Sequence, residues 1–486
     1  MMGVRRNFIS GSLILMAIAG GVFGVIHLLS HRIPGEIFQS GTAEEVRQVV
    51  GTIYYFGSRN TEGRTPLFLA AMSNPDPEVI RILIEAGEDV NARALDGTTP
   101  IMTAAALNPV LEVSQALIEA GADINAVDNR GNCVLTGALV CNKNLDIARM
   151  LIRSGANLNA ARGALDATPV FSALTGTYST AEMCEIVKMM GDAGADFNFE
   201  NREGTTPLLL ALNLELPMEV VETLVQYGAD VRRPNKKGLR PLAVLSRIAR
   251  STDDVVDLLA MGGAAGIDDR NGTGGETALM YAAASNANAN IVRALLDRGA
   301  SIDMRNFTGV TPLLLAAKYN VSSEILKTLL DRGADVNIRD QAGWTPLLYA
   351  IRDNPNPAVA SLLIHGGADV NAASPEGWTP LSLTVSASDC LGLLEELLTA
   401  GAEVNCADAS GITPLMQAVR KGIDPVGILR LLAAGADIDA RDASGKSALE
   451  YMKFNGRWRR SGRYAQVIRF FRNEELRRVV AGRTFF

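Results

Sequence analysis

The sequence predicts an all-α solenoid of stacked two-helix repeats. Three observations carry that expectation. Gly-x-Thr-Pro-Leu returns about every 34 residues, most plainly at Gly309–Leu313, Gly343–Leu347, Gly377–Leu381 and Gly411–Leu415, and a period of this size marks a repeat architecture. Each copy is answered further on by a second motif, such as Leu329-Leu330-Asp331-Arg332-Gly333-Ala334-Asp335-Val336-Asn337. The chain has 486 residues, 48% of them hydrophobic and only 20% charged, so it can bury a long core of Leu, Ile, Val and Ala. That composition excludes a disordered chain.

Within one repeat each element has a physical reason. Thr offers its hydroxyl to the orphan amides of a helix start, and Pro at the next position lacks a donor that had no partner anyway. Thr-Pro therefore opens a first helix. Small pairs follow, among them Ala70-Ala71, Ala104-Ala105, Ala282-Ala283 and Ala316-Ala317, and let neighbouring helix backbones lie close together. A second helix ends in an apolar pair and then a glycine such as Gly333, which takes the positive φ that closes a helix. The Asp-Val-Asn-Ala-x-Asp-x-x-Gly stretch reads as an extended finger with a tight turn, its Asn and Asp bonding locally.

These motifs resemble the ankyrin-repeat family. The Gly position of Gly-x-Thr-Pro falls at 63, 97, 131, 166, 204, 238, 275, 309, 343, 377, 411 and 445. Longer steps before 204 and 275 suggest insertions, one around Gly176 to Glu182 and one around Gly262 to Gly274. The family's usual period is about 33, and the extra residue falls between the two helices, in stretches such as Asn74-Pro75-Asp76-Pro77 and Asn354-Pro355-Asn356-Pro357. Ankyrin repeats usually carry His after Thr-Pro-Leu. Phe68, Leu314, Leu348, Ser382 or Met416 stands there instead, so a polar network between repeats is expected to be missing. The resemblance implies about 11 full repeats over 63–444, each a helix-turn-helix plus finger.

The flanks divide as follows. Residues 33–62 read as a capping half-repeat, with short helices at Glu36–Gln39 and Ala43–Val50; residues 445–486 read as a capping repeat and basic tail, because a solenoid end exposes an apolar face that must be covered. Residues 1–32 carry one hydrophobic helix. Arg5 and Arg6 precede an uncharged run over 8–29 that spans about 33 Å as a helix, enough to cross a bilayer. By the positive-inside tendency this gives a single pass through an inner membrane with the repeats in the periplasm. A cleaved signal peptide, with Ala17-Ile18-Ala19 as its site, is the alternative and gives a secreted chain.

The net charge of -7 hides an asymmetry. From Gly445 onward there are eleven Lys and Arg against three Glu, leaving an acidic body and a basic tail. In that tail Arg457, Arg459, Arg460, Arg463, Arg469 and Arg472 alternate with apolar residues at near-helical spacing. Such a helix either caps the solenoid or touches anionic lipid. No base-reading motif accompanies the charge, so nucleic acid is not expected.

Signals for catalysis are sparse. His27 and His31 sit in or beside the apolar segment, and His365, before Gly366-Gly367, suits a helix C-terminus. His-Glu-x-x-His, Cys-x-x-Cys and Gly-x-Ser-x-Gly do not occur, so neither an enzyme nor a metal or other cofactor is expected. The stretch from Ala440 to Ser447 imitates a phosphate loop but coincides with a finger and the start of the last repeat. The five Cys are scattered, with Cys133 and Cys141 close enough in sequence for a bridge to be considered.

What is left is surface. Stacked repeats set equivalent positions in rows, and specificity belongs to slots that vary. The residue before Thr-Pro is such a slot, and it holds Trp344 and Trp378 in successive repeats, an expected aromatic platform. Near it fall Lys318, Tyr319, Arg352, Arg420 and Lys421. The expectation is a non-enzymatic, membrane-tethered scaffold that binds another protein through these residues. The alternatives are a secreted or host-directed effector, or a regulator of a neighbouring exported enzyme.

Overall fold

A computed structural model describes residues 34–50, 59–142, 144–160, 168–262, 266–386, 391–454 and 468–469. The expected membrane helix over 8–29, Cys390 and most of the basic tail lie outside them. Among the described residues the regular structure is helical, apart from two isolated bridges at finger bases, Val127 with Cys133 and Asn271 with Glu276. None of these helices is long and apolar enough to cross a membrane.

The chain divides into two bodies, one ending at Asp230 and one beginning at Val231. The first holds α1 (Pro34–Ser40), α2 (Ala43–Val50), α3 (Pro66–Ser73), α4 (Pro77–Glu85), α5 (Pro100–Leu107), α6 (Leu111–Glu119), α7 (Val134–Cys141), α8 (Leu145–Arg153), α9 (Pro169–Thr175), α10 (Thr180–Asp192), α11 (Pro207–Asn213) and α12 (Met218–Gln226). The second holds α13 (Pro241–Ile248), α14 (Thr252–Gly262), α15 (Ala278–Ser285), α16 (Ala289–Asp297), α17 (Pro312–Tyr319), α18 (Ser323–Asp331), α19 (Pro346–Asp353), α20 (Pro357–His365), α21 (Pro380–Thr384), α22 (Leu391–Thr399), α23 (Pro414–Lys421), α24 (Pro425–Ala433) and α25 (Ala448–Phe454). Within each body every odd helix packs on the odd helix of the next repeat, and every even helix on the next even one. Two layers result.

The starts and stops are those that Thr-Pro and Gly dictate. Thr65, Thr206, Thr311, Thr345 and Thr413 each accept the amide three residues on, with Pro at the first helical position. Ala70, Ala71, Ala104, Ala105, Ala282, Ala283, Ala316 and Ala317 are buried between odd helices. Gly333 closes α18 at φ 89°. α1 and α2 pack on α3 and α4, and α2 is opened by reciprocal bonds between Thr42 and Glu45.

The first insertion lies elsewhere than expected. The stretch from Pro169 to the start of α10 is as long as that from Pro207 to the start of α12, and the helix itself runs 13 residues where its neighbours α8 and α12 run 9. Four residues make about one helical turn, so the extra length returns the chain to the same face of the helix. Gly191 sits in the last turn of α10, where the Tyr227 ring packs too close to leave room for a Cβ.

A polar network between repeats is present, contrary to expectation, and it is carried by residues other than His. Asn108 Nδ2 donates to the Ala71 and Asn74 carbonyls at 3.2 and 2.8 Å, and Asn142 repeats this on Ala105 and Asn108 at 3.0 and 2.9 Å. In the second body Asn286, Asn320 and Asn354 form the same ladder. The connector between the two helices of a repeat thus reaches the preceding repeat. Two further rows run through the fingers. Asn337 Nδ2 donates to the Gly367 carbonyl while its Oδ1 accepts the Asp369 amide, and Asn371 does the same with Gly401 and Glu403. Arg305 Nη1 bridges the Gly309 and Arg339 carbonyls, and Arg339 in turn bridges Gly343 and Ala373. Each such bond contributes about 0.5–1.5 kcal/mol net.

Candidate interaction surface

In the second body the first-helix row ends in side chains that face outward. Lys318 and Tyr319 close α17, Arg352 and Asp353 close α19, and Arg420 and Lys421 close α23. Tyr319, Arg352, Arg420 and Lys421 are exposed and Lys318 is half-buried. These residues share one layer, as their register on Thr-Pro predicts.

Trp344 departs from the expected platform. It is 7% exposed, in a core cluster with Leu314, Ile338, Leu348 and Tyr349. Its ring packs on Tyr349 of its own repeat, with centroids 5.3 Å apart, and the Arg352 guanidinium covers it at 3.6 Å. Trp378 is half-buried. What reaches solvent over Trp344 is therefore a cation lying on an aromatic floor, an arrangement worth about 0.5–2 kcal/mol.

The electrostatics follow from that stacking. Asp353 holds Arg352 through paired bonds from Nε and Nη2, both at 2.8 Å, which stabilise its charged form. The Tyr349 hydroxyl donates to Asp340 Oδ2 at 2.6 Å, and burial first, then this bond, pushes its pKa well above the usual value. Asp340 also accepts the Trp344 amide, so one carboxylate ties finger to helix. The same lock recurs at Tyr451 and Asp442. Lys318 Nζ lies 4.9 Å from the Tyr319 ring centroid and 4.8 Å from that of Tyr349. No carboxylate pairs with Lys318 among the described residues.

A groove of about 720 Å³ opens beside Tyr319. It is lined from α15 and α17 by Tyr281, Leu315 and Tyr319, and also by Val321, Arg247 and Glu276. Tyr281, Arg247 and Val321 escaped sequence reasoning. A signal existed for the first: Tyr281, Tyr349 and Tyr451 occupy the same fourth position of α15, α19 and α25.

The remaining sequence candidates resolve into structure. Arg469 is exposed, whereas Arg457, Arg459, Arg460, Arg463 and Arg472 lie outside the described residues. In the stretch that imitates a phosphate loop, the Asp442 carboxylate accepts the Ser444 and Lys446 amides, donors that a phosphate would need. His365 Nδ1 bonds to the Ser361 carbonyl in the last turn of α20. Cys133 and Cys141 are free thiols at opposite ends of α7, so the bridge considered between them does not form. No group of acids, His and Cys suited to a metal ion occurs among the described residues.

The comparison with known families agrees with this architecture. The family described as Ankyrin repeats (3 copies) matches residues 67–162, 245–340 and 315–408, and that described as Ankyrin repeat matches residues 410–443. No curated protein matches the chain. Ankyrin repeats in general bind other proteins and are not enzymes. With capped helix pairs, fingers and family match in agreement over more than half its length, the chain belongs to the ankyrin-repeat family.

Proposed function

We propose that the chain is a non-enzymatic scaffold, tethered to a membrane through residues 8–29, whose repeats on the exported side hold a partner protein. The single observation behind the binding site is the row of exposed or half-buried side chains on one layer of the second body, Lys318, Tyr319, Arg352, Arg420 and Lys421. Trp344 supports that row from beneath, and Trp378 contributes its accessible part. Behind the tether stand the two N-terminal Arg and the length of the uncharged run.

Crosslinking in intact membranes tests both halves. A partner should be captured by the native chain and lost from a Tyr319→Ala, Arg352→Ala double variant whose melting is unchanged. Equal capture by the two would remove this row from consideration. Extraction that needs detergent, with an intact mass that includes residues 1–32, supports the tether. A mature chain beginning after Ala19 and soluble without detergent would replace it with the secreted reading. The Arg-rich tail is proposed to meet anionic headgroups, and removing residues 455–486 should then weaken binding to phosphatidylglycerol vesicles.

A further inference from the structure

The charges of the second body are sorted between its layers. Its odd helices carry Arg247, Lys318, Arg352, Arg420, Lys421 and Lys453 against Asp353 and Glu450. Its even helices carry eight acids against three bases. A helix C-terminus favours a cation by about 0.3–1 kcal/mol, which offers a structural reason for bases there. That reason is insufficient, because α3, α5, α7, α9 and α11 have the same register and no charged residue at all. Something other than the helix dipole places cations on the second body alone.

One of these cations, Arg247, lines the groove between α15 and α17, and a second, Lys318, lies behind its Tyr319 wall with Nζ over the Tyr319 and Tyr349 rings. Neither pairs with a carboxylate among the described residues. Between them lies an aromatic and aliphatic trough made by Tyr281, Leu315 and Tyr319, with Tyr319 56% and Val321 60% exposed. Exposed rings and branched side chains beside cations that no carboxylate pairs directly are the makings of an amphipathic docking site.

We propose that this groove takes an extended acidic polypeptide segment that seats one aromatic or aliphatic side chain between Tyr281 and Tyr319. Its carboxylates lie on either side, against Arg247 and Lys318. Arg247 and Lys318 belong to odd helices two repeats apart, roughly 20 Å at 8–10 Å per helix pair. An extended chain covers that in about six residues at 3.3 Å each, which places the two acids about three residues before and after the apolar anchor. Glu276, which also lines the groove, forbids an acid at the anchor position itself. A phosphate backbone fits less well, because its closely spaced charges would run onto Glu276 and Asp353, and a lipid surface cannot follow a groove. The inference rests on the scaffold reading and adds the chemistry of the partner.

The test uses the full chain in detergent and fluorescein-labelled peptides read by anisotropy. One peptide carries Glu, Phe and Glu at three-residue intervals, and another has the same composition scrambled. The ordered peptide should bind in low salt and weaken as salt rises, with Arg247→Glu and Lys318→Glu each reducing affinity by about tenfold or more. Tyr319→Ala should weaken binding about fivefold or more, the size expected for a buried aromatic anchor. Lys327→Glu, on the even layer, should leave it unchanged, and thermal melts confirm that each variant is folded. Equal binding of the scrambled peptide, indifference to both charge reversals, or tighter binding of an oligothymidine or of phosphatidylglycerol vesicles through these residues would overturn the proposal. If the peptide fails while crosslinked capture still depends on Tyr319, the partner chemistry falls and the scaffold stands. If capture also fails, both fall.

Discussion

Replacing Asn320 by Ala removes one rung of the connector ladder and isolates its energy. Asn320 is buried, and its Nδ2 donates to the Ala283 and Asn286 carbonyls, both at 2.8 Å, while its Oδ1 accepts the Ser322 amide at 2.8 Å. Alanine leaves three backbone groups without their partner. Each buried group left unsatisfied costs about 1–3 kcal/mol, and the half-exposed Ser322 end regains part of this from water, so the net loss should be about 2–4 kcal/mol. In a repeat array such a loss stays near the interface it weakens, and a single unfolding midpoint would blur it. Native-state hydrogen exchange resolves it: amides of α15 and α17 should exchange roughly 30- to 1,000-fold faster, while those of α5 and α7 stay as they were. Asn320→Asp keeps the size and the Ser322 acceptor but turns a carboxylate oxygen toward two carbonyls, and should be at least as damaging. A change of under about 0.5 kcal/mol, or one spread evenly over both bodies, would refute the claim that the ladder couples neighbouring repeats.

Trp344→Ala should act on stability, by about 3–5 kcal/mol, since the ring is core and its loss also strips the floor from under Arg352; urea unfolding followed by tyrosine fluorescence measures it. Thr345→Val should cost about 1 kcal/mol through the lost bond to the Leu348 amide, whereas Thr99→Val should be neutral or stabilising, because the Thr99 hydroxyl is buried without a partner. Paired thermal melts decide this. The Tyr451 hydroxyl first, with the Lys446 and Ser444 amides, draws the Asp442 pKa from 3.8 down to about 2. A depressed folded-state value means that its stabilisation is complete above the unfolded pKa near 4 and drains away as pH falls toward 2. Exchange of the Ser444 and Lys446 amides should therefore quicken between pH 4 and about 2 in the native chain, and Asp442→Asn should flatten that dependence.

The architecture was legible because its causes are local and recur. Thr before Pro, small residues and a terminal Gly each act within one helix, and the same choices return at Thr311, Ala316 and Gly333 as at Thr345, Ala350 and Gly367. What escaped acts across repeats. Asn320 reads in sequence as one more polar turn residue, since nothing nearby says that its amide reaches a carbonyl 37 residues earlier. Trp344 and Trp378 look equivalent by slot, yet their burial is set by the helix beside them: Tyr349 and Arg352 cover the first, while the matching positions after the second hold Leu383 and Ser386. The surface was legible in part for the same reason. Lys318 and Tyr319 follow from register, but the trough they border depends on Tyr281 and Arg247 from two other repeats.

The connector asparagines have a bearing on how such a chain can change over generations. Within the runs Asn74–Asn108–Asn142 and Asn286–Asn320–Asn354, each amide grips atoms that every neighbouring copy supplies in identical positions. Unequal recombination that drops or duplicates one 34-residue stretch inside either run would reseat every donor on a ready acceptor, with no new surface to be invented. Where the slot holds another residue, at Thr177, Glu215, Ala249, Ser388 and Gly422, the same genetic accident would join mismatched edges, so a whole repeat is gained or lost at least cost inside those two runs.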